Sequence, residues 1–149
     1  MLKIYTFIIF LLFLKIQVYA NEINIVSDRL EINDNTNESI FIGNVYAEED
    51  TFKIWSEKMV FKFNESRDQV DEIQSFYDVK IHHNDMITNS DQALYLPATQ
   101  ILKLKGNVHI IQHGNQIKCD ELILDIKNST SIMKGNSAKR LEAIIITEE

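Results

Sequence analysis

Cysteine, proline and glycine are all scarce, at one, one and four residues in a chain of 149. With Cys119 alone, no disulfide can form within the chain, so the fold must stand on packing and hydrogen bonds. A single cysteine in an alternating apolar segment is expected to be a small buried thiol rather than a reactive or metal-binding one. Basic charge is also short: beyond residue 20 there are 13 Lys and Arg against 22 Asp and Glu, a formal charge of −9. That balance argues against nucleic acid, whose phosphates need a basic face. Missing too is an apolar run long enough to cross a bilayer. Ile4 to Leu14 is followed by Lys15 and falls short of the roughly 20 residues a spanning helix needs.

That short run has the layout of an export signal instead. Lys3 precedes it and Val18-Tyr19-Ala20 closes it with a small-residue cleavage pattern, so residues 1–20 are expected to be a signal peptide and 21–149 one domain. In the alternative, the segment is retained as a membrane anchor.

What is present is period two. Apolar residues recur at every second position in Ile23/Ile25, Leu30/Ile32, Phe52/Ile54, Met59/Phe61/Phe63, Val79/Ile81, Leu102/Leu104, Val108/Ile110 and Leu122/Leu124/Ile126. Turns fall to asparagine and aspartate, at Asn33-Asp34-Asn35, Asn64-Glu65-Ser66, His83-Asn84-Asp85 and Lys127-Asn128-Ser129. Only Val70 to Phe76 hints at a helical stripe, and it is too short to alter an all-β, mostly antiparallel reading. Pro97, unable to donate to a ladder, suggests an edge or a bulge.

The chain also repeats itself. Residues 27–61 align without a gap on 90–124 at an offset of 63: Ser27-Asp28 falls on Ser90-Asp91, Gly43-Asn44-Val45 on Gly106-Asn107-Val108, and Ile54 on Ile117. Both copies slip parity at one place. Ile54 and Ser56 are followed by Met59 and Phe61, and Ile117 and Cys119 by Leu122 and Leu124, which predicts a β-bulge near Glu57-Lys58 and another near Asp120-Glu121. Strands bent at matched positions curl into a groove of the kind a β-jelly-roll provides.

Catalytic and metal chemistry find little support. His82 and His83 are adjacent and point to opposite faces, His109 and His113 flank a turn without a partner ligand, and all four are expected to be solvated. Ser27 and Ser90 have no histidine placed with them, and Glu48-Glu49-Asp50 reads as a solvated hairpin tip. Neither an enzyme nor a cofactor is expected.

The export signal, Ile25-Val26-Ser27-Asp28, the hairpin rising to Phe41-Ile42-Gly43-Asn44-Val45, and the following Lys53-Ile54-x-x-Glu57-Lys58 together resemble the LptA/OstA-like family of periplasmic lipopolysaccharide-transport proteins. The resemblance spans about Glu22 to Ile146, including the closing strand from Lys139 to Ile145. It implies a V-shaped antiparallel β-jelly-roll built from two repeated halves. Its groove would hold the lipid A acyl chains of lipopolysaccharide in the periplasm, between inner-membrane and outer-membrane transport components. Subunits would stack head to tail as a homo-oligomer, by pairing of end strands. On inward parity the candidate lipid-lining residues are Ile23, Ile25, Leu30, Ile32, Phe41, Ile54, Tyr95, Leu102, Leu104, Val108 and Ile117; plain core is the favoured reading for any single one, and Ile23, Ile25, Phe41 and Tyr95 are the foremost candidates for contact. Glu22–Val26 and Arg140–Thr147 are the expected open edges, although Ala143 to Ile146 can equally be an interior strand. Two other readings stay open: a membrane-anchored LptC-like partner, and a structural β-repeat protein without lipid.

Overall fold

The computed structural model describes residues 22–147, so the expected signal peptide lies outside the described residues. Ten strands form one antiparallel sheet: β1 Asn24–Val26, β2 Arg29–Asn33, β3 Glu38–Glu49, β4 Phe52–Phe63, β5 Val70–His83, β6 Met86–Leu96, β7 Ile101–Gln112, β8 Asn115–Asp125, β9 Thr130–Lys134 and β10 Glu142–Ile144. The path is a meander from β3 to β8, each strand beside its successor. Both edges are composite: β1 and β2 pair with successive halves of β3, and β10 and β9 with successive halves of β8. Val70 to Phe76 is strand, and its hint of helical spacing does not survive β-ladders on both sides. All four asparagine-rich segments contribute to turns. Pro97 sits in the turn after β6, accepting from Gln100 N–H at 3.3 Å, and so is neither edge nor bulge.

A crease crosses the whole sheet. Pairing registers break between Ile42 and Val45, Trp55 and Lys58, Phe76 and Val79, Asn89 and Gln92, and Lys105 and Val108. The parity slips expected at Glu57-Lys58 and Asp120-Glu121 fall on this line. Odd and even strands bend by different means. β3, β5 and β7 each place two consecutive residues at positive φ: Gly43-Asn44, Tyr77-Asp78 and Gly106-Asn107. In β4 and β6 a serine on the inner face bonds two residues ahead, Ser56 Oγ to Lys58 O and Ser90 Oγ to Gln92 O, both at 3.1 Å. Ser27 does the same to Arg29 O at the junction of β1 and β2.

The repeated motif explains why glycine stands at two of these bends. Asn44 Nδ2 donates to Asp28 Oδ2 and Asn107 Nδ2 to Asp91 Oδ2, each at 2.9 Å. The aspartate carboxylate is thereby held against Gly43 or Gly106, and a Cβ at Gly43 would sit 2.5 Å from Asp28 Oδ2. Only glycine accepts both that approach and a φ of +83° at Gly43 or +80° at Gly106.

The crease folds the sheet into two facing walls. The first carries the hairpin tips at 50–51, 84–85 and 113–114, and the second the turns at 34–37, 64–69, 97–100 and 126–129. Their inner faces bury two apolar clusters. One, toward β1, holds Val45, Met59, Phe61 and Ile73; the other, toward β8, holds Val79, Ile81, Leu102, Leu104, Val108 and Leu122. Ile54 and Tyr95 pack against both.

Candidate functional site

Where the walls diverge from the crease, alternation leaves apolar side chains with no partner opposite, and an open-mouthed groove results. Two cavities occupy it. The first, about 230 Å³, is lined by Ile23, Phe52, Ile54, Met59, Phe61, Ile73 and Tyr95, with Glu48, Glu49 and Asp50 at its rim. The second, about 450 Å³, is lined by Met86, Ile110, Ile117, Leu122, Leu124, Met133 and Ile145, with Asp85, Asn115 and Ser131 among its polar groups. His83 and Ile126 line both. An apolar trough with a polar rim suits a ligand that is hydrocarbon at one end and hydrated at the other.

The eleven residues expected to line the groove fall into four groups. Ile23, Ile54, Tyr95 and Ile117 line the cavities, while Ile25 and Phe41 pack, partly exposed, on the inner cluster beside β1. Leu102, Leu104 and Val108 are sealed in the core and line neither cavity. Leu30 and Ile32 pair with Phe41 and Ser39 on the inner face, yet remain 49% and 62% exposed because β2 is an edge with no strand beyond it.

Sequence reasoning passed over most of the cavity lining, Met59, Phe61, Met86 and Met133 among it, and with them Phe52 and His83. Phe52 shares the parity of Ile54, and His83 that of Ile81, so both were within reach of the alternation rule. Two of the four histidines, His82 and His83, depart from the solvated expectation, while His113 is exposed as expected. His83 stacks on Phe52 with ring centroids 4.3 Å apart, and burial lowers its pKa, opposed by the nearby carboxylates of Asp50 and Asp85. His82 lies on the outer face against Trp55 at 4.9 Å, and its Nε2 is buried without a hydrogen-bond partner. Its pKa is lowered by burial first, then by Lys80 and Lys53. His113 pairs with Asp85 across two hairpin tips. Cys119 is the buried thiol expected, its pKa raised by burial. Among the described residues no three His, Cys, Asp or Glu are grouped to hold a metal ion.

Exposed large apolar side chains gather at the two edges of the sheet. Val26, Leu30 and Ile32 mark one, and Ile132, Ile144 and Ile145 the other, which makes Ala143 to Ile146 an edge rather than an interior strand. Such rows of unpaired backbone and bare side chain are templates for strand addition.

Comparison with known proteins agrees with this geometry. Residues 24–130 match the model of the family described as "LptA/(LptD N-terminal domain) LPS transport protein". Among solved structures, the chain is similar to LptH of Pseudomonas aeruginosa, described as the LptA-homologous periplasmic component of the conserved lipopolysaccharide transport device. The TM-score is 0.75 at 13% identity, covering 85% of this chain and 96% of that one. No curated protein matches the sequence.

Proposed function

Because the chain belongs to the LptA and LptD N-terminal-domain family of lipopolysaccharide-transport proteins, we propose that it is a periplasmic carrier whose groove shelters acyl chains of lipopolysaccharide. The observation that carries the reading is the pair of apolar cavities between the walls, open at a polar rim. Acyl chains gain roughly 25 cal/mol for each Å² of apolar surface withdrawn from water, so a sleeve of Ile, Phe and Leu holds them without a covalent step. Ile23, Ile54, Tyr95 and Ile117 are the contact residues on this reading, with Ile25, Phe41, Leu30 and Ile32 extending the trough to the β1/β2 edge. A photoreactive side chain at Ile23 or Tyr95 then crosslinks to added lipopolysaccharide, and one at the outward Glu31 does not. Folded protein that crosslinks at neither inward position would sink the proposal and favour a structural β-repeat.

The carrier acts as a link in a bridge, joined to copies of itself and to membrane components through its edge strands. The internal repeat supports one register for that joint. β10 and β9 flank β8 as β5 flanks β4: Ile117 faces Ala143 as Ile54 faces Ile81, and Leu122 faces Met133 as Met59 faces Ser75. The strand that follows β5 is β6, and β1/β2 is its repeat. Within the chain Ile81 pairs with Thr88 and Ser75 with Ala93. Carried over at the repeat offset, Ala143 faces Ile25 of the next copy and Met133 faces its Leu30, all on the inner face, so the trough runs on across the joint.

A further inference from the structure

Two rings meet across the groove. Phe52 belongs to the first wall, at the start of β4, and Tyr95 to the second, near the end of β6; neither strand pairing nor sequence brings them together. Their rings nevertheless stack across the gap, with centroids 6.1 Å apart and planes within 22°. His83 also stacks on Phe52, at 4.3 Å and 30°.

Three observations place this stack between compartments. Phe52 and Tyr95 line the first cavity, and His83 lines the first and the second. The two buried clusters are separate but for Ile54 and Tyr95, which touch both. His83 and Ile126 are the residues the two cavities share, so a hydrocarbon chain moving from one cavity to the other passes beside this stack.

We propose that the His83–Phe52–Tyr95 stack is a gate across the groove, closed when the rings are stacked and displaced by an acyl chain in transit. This rests on the carrier reading above. The movement is confined to a side chain: the Phe52 backbone is paired with Glu49 on one side and His83 on the other, so the ring moves by rotation about its own side-chain bonds while both ladders stay intact. An aromatic pair in this arrangement favours the closed form by a margin equivalent to about 2- to 10-fold in an equilibrium constant.

The test uses the full chain and cis-parinaric acid, a fluorescent fatty acid, mixed rapidly with wild type and with Phe52→Ala. Filling is expected to be about 2- to 10-fold faster in the variant, the gate no longer having to open, while Phe52→Tyr, which keeps the stack, fills at the wild-type rate. Equal rates for wild type and Phe52→Ala would overturn the gate and leave the carrier reading standing. Binding by neither protein would overturn both. If Phe52→Ala loses its β-sheet circular dichroism, Phe52→Leu, which retains apolar bulk but not the stack, carries the same comparison.

Discussion

Gly106→Ala tests whether the aspartate–asparagine clamp sets the crease. Two costs are separable. Alanine at a φ of +80° sits in the left-handed region, at roughly 1–2 kcal/mol. Its Cβ also collides with the Asp91 carboxylate, which must turn away and forfeit the 2.9 Å bond from Asn107, worth about 1 kcal/mol. The total is about 2–3 kcal/mol. For a domain of this size that is a fall in Tm of roughly 8–12 °C. Gly114 is the internal control. It has the same φ, but its Cβ would meet only Ile146 Cδ1, the far end of a flexible side chain, at 2.9 Å, so Gly114→Ala should show the backbone cost alone. Urea unfolding of both variants, and of Gly106→Ala in an Asp91→Ala background, gives the clamp's share as a coupling energy of about 1 kcal/mol. If Gly106→Ala costs no more than Gly114→Ala, or if the coupling vanishes, the clamp is ornament and the reasoning fails.

Three further outcomes are expected. With Cys119→Ser as background, the pair Ile25→Cys and Ala143→Cys should form covalent multimers on mild oxidation, visible on a non-reducing gel; Val26→Cys with Ala143→Cys, one residue out of register, should not. Leu102→Ala, at a site with 0% exposure, should cost about 2–5 kcal/mol in urea unfolding, whereas Ile32→Ala, 62% exposed, should stay within about 0.5 kcal/mol for the isolated chain. Stability should fall as pH drops below 6.5, the ordinary value for histidine, because His82 and His83 hold lowered pKa values in the fold. The unfolded chain then binds more protons than the native one, and the loss levels off once the folded-state values are passed. His82→Gln and His83→Gln together should flatten that part of the profile.

The alternation of apolar residues made the strands legible, and with them the inner face, since Ile54, Tyr95 and Ile117 lie where parity puts them. The slips after Ser56 and Cys119 announced a crease because a one-residue shift exchanges faces. β5 gave no such notice. Ser75, Tyr77 and Val79 keep one parity straight through the bend, which is made by Tyr77 and Asp78 at φ of +66° and +50° with no glycine to mark it. Depth was illegible for a different reason. Leu30 and Leu104 have the same residue type and the same parity, yet one is 49% exposed and the other 0%, because exposure depends on whether another strand lies beyond, which alternation does not encode. His83 was hidden by its chemistry, a polar label on a ring that spends its surface against Phe52.

The doubled architecture makes length an adjustable property. Each half supplies four strands' width of sheet, about 19 Å at the usual interstrand spacing, and begins with the same Ser-Asp bend. A tandem insertion of one more unit between β5 and β6 would present the same strand partners at both seams and leave the outermost edges unchanged. A gene could thus lengthen its product stepwise, as a ladder gains rungs, while whatever grips the two ends meets the surfaces it already knows.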